Sequence, residues 1–180
     1  MIPDPSAISR VECRAASVTD LPELLPVVRE FYAHFDFPWD ETRKRDLLSQ
    51  VLADPSLGSL RVVTVDSRIA GYALLPFYFS LEFDGRVALL DELFVTAAAR
   101  GLGAGGRLLD DCVAALSREG GIRAIRLEVD QRHPEASTLY RRHGFLPDGR
   151  EAWTRRLTTG SAMPPLSGCC LLYTSPSPRD

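Results

Sequence analysis

The sequence predicts one α/β domain, and three observations carry that expectation. Its 180 residues are 45% apolar, which fits a single sizeable core rather than two domains or a disordered chain. Segments rich in branched and aromatic residues alternate along the chain with segments whose apolar residues recur at helical spacing. A glycine-rich turn, Arg100 to Gly106, joins a strand-like segment to a helix-like one.

Val11 to Ala16 reads as the first strand. Asp20, with Glu23 three residues on, marks a helix start. Leu21, Leu24, Leu25, Val28, Tyr32 and Phe35 then give one apolar face, with a kink expected early at Pro26. Beyond the breaker Pro38, Leu47, Leu48, Val51 and Leu52 suggest a second helix ending near Asp54-Pro55. Arg61 to Val65 and Ile69 to Phe79 are rich in branched and aromatic residues and read as a hairpin turning at Asp66 to Arg68. Gly85 leads into another long strand, Val87 to Val95. After the glycine turn, Leu108, Leu109, Cys112, Val113 and Leu116 share a helical face that ends at Gly120-Gly121. Ile122 to Val129 reads as a buried strand. Pro134 opens a short helix at a tolerated position, Gly144 caps it, and Arg141, Arg142 and His143 suit its negative end. Two last strands, around Phe145 and over Ala152 to Leu157, complete the order β, α, α, β, β, β, α, β, α, β, β.

Net charge is −3 with mixed signs along the chain, so no broad basic field for nucleic acid is expected. No stretch approaches the roughly 20 apolar residues of a membrane helix, and Met1 to Arg10 lacks the zones of a signal peptide. A cytoplasmic location is therefore expected. Cys13 and Cys112 join no metal-ligand spacing, and reduced, buried thiols are expected, with no metal site. His34 and His143 read as structural helix-end residues. The domain is expected over residues 11–157, after an extension at 1–10 and before another at 158–169. Residues 170–180 (CLLYTSPSPRD) resemble the translation of a sequencing-library adapter and are expected to be non-native.

The turn Arg100-Gly101-Leu102-Gly103-Ala104-Gly105-Gly106 places unpaired backbone N–H groups at the positive end of a helix, which attracts phosphate. A P-loop needs Lys followed by Ser or Thr after the glycines, and Gly106-Arg107-Leu108 stands there instead. Gly101, Gly103 and Gly106 also spell the dinucleotide pattern G-x-G-x-x-G, with Glu128 closing the next strand. Yet Thr96 to Arg100 intervene before the first glycine, and only about 50 residues remain for the second half of such a sheet. A glycine loop with no ligand is the third alternative.

Arg100-x-x-Gly103-x-Gly105 resembles the coenzyme A signature R/Q-x-x-G-x-G/A of the GCN5-related N-acetyltransferases. Leu93-Phe94-Val95 resembles that family's fourth strand, and Ala136 to Phe145 its late A-x-x-L-Y-x-x-x-G-F motif. The resemblance covers roughly residues 11 to 157. It implies the acyl-CoA N-acyltransferase fold, with a mixed, mostly antiparallel central sheet flanked by helices. It also implies acetyl-CoA as co-substrate, held by Arg100 to Gly106, by the main chain of Leu93, Phe94 and Val95, and by His133. Two departures stand out: His133 replaces the frequent Asn, and Ala97-Ala98-Ala99 replaces a Pro-containing run. Family members often dimerise, so the resemblance extends to a homodimer.

Acetyl transfer requires a neutral amine, yet an alkyl amine of pKa about 10.4 is only about one part in a thousand neutral near pH 7. A carboxylate at the amine and a weak acid at the departing thiolate ease that burden. By resemblance Tyr140 is the acid, with a core tyrosine as the alternative reading. Asp91 and Glu92 are the candidate bases; strand alternation points them to opposite faces, so one of the two enters the cleft. Ile69 to Val95 also resembles spermidine/spermine N-acetyltransferase, which makes Tyr78, Glu82 and Asp84 candidate contacts for a cationic acceptor. The expected activity is acetylation of a small-molecule primary amine, polyamine-like or amino acid-like. A protein or peptide acetyltransferase and a non-catalytic acyl-CoA sensor are the alternatives.

Overall fold

The structure, a computed structural model, describes residues 10–129, 134–155 and 157. Strand β1 (Val11–Ala15) is followed by helices α1 (Leu21–His34) and α2 (Glu41–Ala53), then by strands β2 (Gly58–Val65), β3 (Arg68–Ser80), β4 (Gly85–Leu90) and β5 (Glu92–Val95). Helix α3 (Ala104–Glu119), strand β6 (Ile122–Leu127) and helix α4 (Pro134–Arg142) complete the described elements.

Helix α1 starts differently from the expected capping box. The Asp20 carboxylate turns back to the Ser17 N–H at 2.7 Å and to both terminal nitrogens of Arg14 at 2.7 Å. Glu23 instead accepts from Arg68 and from the Ile69 N–H, so it ties α1 to β3. The helix runs on through Pro26. Helix α2 begins where the Asp40 side chain accepts from the Arg43 N–H at 3.0 Å, an N-cap that satisfies one of the first unpaired donors.

The sheet order is β1-β2-β3-β4-β6, with β5 pairing β3. All pairs are antiparallel except β4 with β6, so the mixed, mostly antiparallel sheet is as expected. The β2–β3 turn places Asp66 and Ser67 at φ 49° and 67°, the left-handed pair a two-residue hairpin requires. Two cores sandwich the sheet. On one face α1 and α2 pack Leu24, Val28, Phe31 and Leu48 against Val62, Tyr72 and Phe94. On the other, Leu108, Leu109, Cys112 and Leu116 of α3 and Tyr140 of α4 cover Leu75, Leu90 and Leu93.

The expected single strand Val87 to Val95 is two. Phe77 pairs Ala88, whereas Leu74 pairs Glu92, so three steps along β3 face four along the partner. That one-residue excess is a β-bulge centred on Asp91, whose N–H still reaches the Leu74 carbonyl at 3.0 Å. The two last strands of the sequence reading do not form among the described residues. Phe145 lies in a loop, its ring 5.9 Å from that of Tyr140, and 150–155 is irregular. Pro147 offers no N–H to a ladder, and Gly149 turns the backbone at φ 73° between the two expected strands. No helix among the described residues is long and apolar enough to cross a membrane.

Candidate active site

The bulge opens the sheet. Strands β4 and β6 run parallel from Arg86 opposite Ile122 to Leu90 opposite Leu127. Beyond that point β5 stays with β3, while Glu128 and Val129 leave the strand. One edge of β5 therefore faces a split in the sheet and pairs with no strand among the described residues. Leu93 and Val95 point into the α3 core and Phe94 into the α1 core. Their side chains are apolar because each is buried, so the polar groups of this edge are those of its main chain.

The Arg100 to Gly106 turn leads from β5 into α3. Gly101 and Gly103 adopt φ 78° and 71°, and a Cβ added at either would meet nothing within 4 Å. Their bare backbone thus faces open space rather than packing, in a conformation that strains any L side chain. Leu102 between them is exposed, Ala104 and Gly105 are buried, and the first turn of α3 carries no acidic residue. Gly106 faces the Nε2 of His143, and the other ring nitrogen of His143 lies 2.6 Å from Asp110. Arg61 of β2 pairs with Asp111, and Arg107 donates to the Val11 carbonyl, so α3 is held against the β1–β2 side while its N-terminus stays at the split. These features fit a pyrophosphate on the α3 N-terminus and an extended arm along β5. His133 lies outside the described residues.

Strand alternation does not separate Asp91 from Glu92, because the bulge resets it: Leu90 and Leu93 face the same core with both acids between them. Glu92 is only 8% exposed. Its Oε2 accepts from the Tyr72 hydroxyl at 2.6 Å and its Oε1 from the Tyr32 hydroxyl at 3.0 Å. Lys44 donates to the Tyr32 hydroxyl at 2.8 Å and stands 4.1 Å above the ring, close enough for a cation–π contact. Burial pushes the Glu92 carboxyl up, the two phenols pull it down, and the neighbouring Asp91 charge raises it again. Asp91 is also raised, chiefly by burial and then by Glu128. Tyr72, Tyr32 and Lys44 were not singled out as site residues in the sequence, because they come from β3, α1 and α2 and only the fold gathers them.

Tyr140 is 2% exposed, at the end of α4 and in the α3-side core. It and Glu92 therefore lie on opposite faces of the sheet, which meet at the split. Tyr78, Glu82 and Asp84 lie elsewhere. Glu82 and Asp84 sit at the far end of β4, where Arg150 clamps Glu82 through two nitrogens at 2.9 and 2.6 Å, and Tyr78 pairs Val87 within the strand. Five residue steps separate that end from Leu90, about 17 Å of strand. Cys13 and Cys112 are free thiols, raised by burial to about 11 and about 12.

A split parallel pair beside a glycine-lined helix N-terminus defines a domain that binds an acyl-coenzyme A. Comparison with known proteins agrees: residues 24–145 match the model of the acetyltransferase (GNAT) family, and the chain belongs to that family. It is an acetyl-CoA dependent N-acetyltransferase. An uncharacterized N-acetyltransferase of Bacillus subtilis (strain 168), YhfO, is 23% identical over 135 residues, 75% of this chain and 89% of that protein. An integron cassette protein from the mobile metagenome of Cole Harbour Salt Marsh superposes with a TM-score of 0.73 at 27% identity, covering 82% of this chain and 91% of that one. The aminoglycoside N-acetyltransferase AAC(6')-Iy, solved with CoA, superposes with a TM-score of 0.71 at 14% identity, covering 88% and 100%.

Proposed function

We propose that the protein acetylates a primary amine of a small molecule, polyamine-like or amino acid-like, at the split between the open edge of β5 and the chain leaving β6. The observation that carries this reading is the pair Asp91 and Glu92 on the bulge, set among Tyr32, Tyr72 and Lys44. Acetyl-CoA supplies an activated acyl group when bound. Backbone N–H groups from Gly101 to Gly106 hold its pyrophosphate, Arg100 adds positive charge, and the open edge of β5 orients its arm by main-chain hydrogen bonds. Asp91 and Glu92 act as one coupled base: with both carboxyls raised, the pair holds or releases a proton closer to neutral pH than a free acid does. Tyr140 delivers a proton to the departing sulfur from the opposite face.

Short amines would be read at Asp91 and Glu92 alone. A role for Tyr78, Glu82 and Asp84 would need an acceptor long enough to span β4, so chain length discriminates between the two acceptor types. The test follows thiol release from acetyl-CoA against diamines, longer polyamines, amino acids, aminoglycosides and peptides. Turnover of one small-amine class that falls on Tyr140→Phe supports the reading. Turnover of peptides alone would replace it with protein acetylation, and CoA binding with no turnover of any amine would replace it with a sensor.

A further inference from the structure

We propose that Lys44 is itself an acceptor: the enzyme acetylates its own Lys44 side chain at the Asp91/Glu92 split, an inference that rests on the acceptor-side reading above. Lys44 is the single lysine of the chain. Helix α2 delivers its Nζ to the Tyr32 hydroxyl at 2.8 Å, and that hydroxyl donates to Glu92 at 3.0 Å. One phenol thus separates a primary amine from the carboxylate that an external amine must reach. The Tyr32 face under the ammonium completes what a cationic acceptor would use: an aromatic wall, a hydroxyl and two acids.

The charged groups acting on Lys44 are Glu92 and Asp91 from the bulge, with Asp40 and Arg43 beside it on the α2 side. Burial depresses its pKa and outweighs the three acids, so more of the side chain is the neutral nucleophile than in a free lysine. The ammonium first loses one proton to the Asp91/Glu92 pair. The Nζ lone pair then forms the C–N bond to the acetyl carbon, the C–S bond breaks, and the sulfur leaves as a thiolate that takes a proton from Tyr140. The second amine proton leaves to solvent, and Tyr140 recovers its own from solvent. The product is an uncharged acetamide. It can no longer offer the Tyr32 hydroxyl an ammonium, and it takes up space on the acceptor side, so turnover of external amines falls as Lys44 is modified.

The test incubates the full chain with acetyl-CoA and no other amine, follows intact mass, and maps the modified peptide. The expected result is one added acetyl on Lys44, at a rate independent of protein concentration and at least about tenfold slower in Tyr140→Phe. Lys44→Arg keeps a cation on Tyr32 but offers no amine that acetyl-CoA can acylate, so whatever its initial rate it should gain no acetyl and show no time-dependent decline. Turnover of an external amine with Lys44 unmodified would overturn the proposal and leave the proposed function standing. Equal modification of Lys44 in the wild type and in Tyr140→Phe would mark uncatalysed chemistry and also overturn it. Failure of both Lys44 and every external amine to react would instead remove the acceptor-side reading beneath it.

Discussion

Tyr140→Phe removes one oxygen and leaves a ring that still packs against Phe145. The thermal unfolding curve should therefore stay close to that of the wild type, while kcat falls about 10²–10⁴-fold as expected for loss of a positioned acid. Asp91 and Glu92 allow a test with a definite sign. The Asp91 charge raises the Glu92 carboxyl, so Asp91→Asn should move the ascending limb of kcat/KM against pH to lower pH, and an unmoved limb would show that the pair does not titrate together. Because both folded carboxyls are raised, their contribution to stability is full below the unfolded carboxylate pKa and is lost as pH rises through the folded values. Motif order was enough to single out Asp91, Glu92 and Tyr140 in the sequence. Their geometry was not legible, because alternation assumes an unbroken strand and a bulge carries no residue signature here. Lys44 is the single lysine of the chain, yet nothing local in the sequence links it to Tyr32 or Glu92.

The elements divide by where their hydrogen bonds are satisfied. Helices α1, α3 and α4 were legible because helical spacing and terminal glycines are local signals, as was the β2–β3 turn. The strands expected around Phe145 and over Ala152 to Leu157 do not form among the described residues: Gly149 turns the backbone between them and Trp153 stays exposed. At the α3 N-terminus, Gly103 sits at φ 71° with open space before it. Gly103→Val should raise the KM for acetyl-CoA with little change in kcat, because the lost contact is made equally in the ground and transition states; steady-state kinetics at varied acetyl-CoA separate the two. At the start of α1, the Arg14 contact holds Asp20 down at about 2. An acid so lowered stabilises the fold above its unfolded pKa and loses that contribution as pH falls toward the folded value. Discounted for solvent screening, Asp20→Asn should cost about 1 kcal/mol near neutral pH and progressively less below about pH 4 in urea titrations.

For the molecule as a whole, two cores packed on opposite faces of one sheet carry stability, and in the proposed reading the split beside β5 carries ligand affinity. The parallel pair ends at Leu90 and Leu127 while both cores continue past it, so a ligand held as proposed, on the β5 edge and the α3 N-terminus, would leave both cores in place. Stability and affinity should therefore separate under mutation. Leu24 is fully buried in the α1 core, and Leu24→Ala should cost about 2–5 kcal/mol. Because the ligand acts by mass action on the folded state, acetyl-CoA at a hundredfold over its Kd should stabilise wild type by about 2.7 kcal/mol, a rise in Tm of several degrees for a domain of this size. That increment should survive Leu24→Ala, measured at a temperature where the variant is folded, because the split is untouched. It should shrink in Gly103→Val at the same acetyl-CoA concentration, because fewer molecules are bound. An increment lost in Leu24→Ala while ligand-free Gly103→Val unfolds as early would mean that the cores and the split are one cooperative unit, and the cleft would then have to be understood as forming only when the ligand binds.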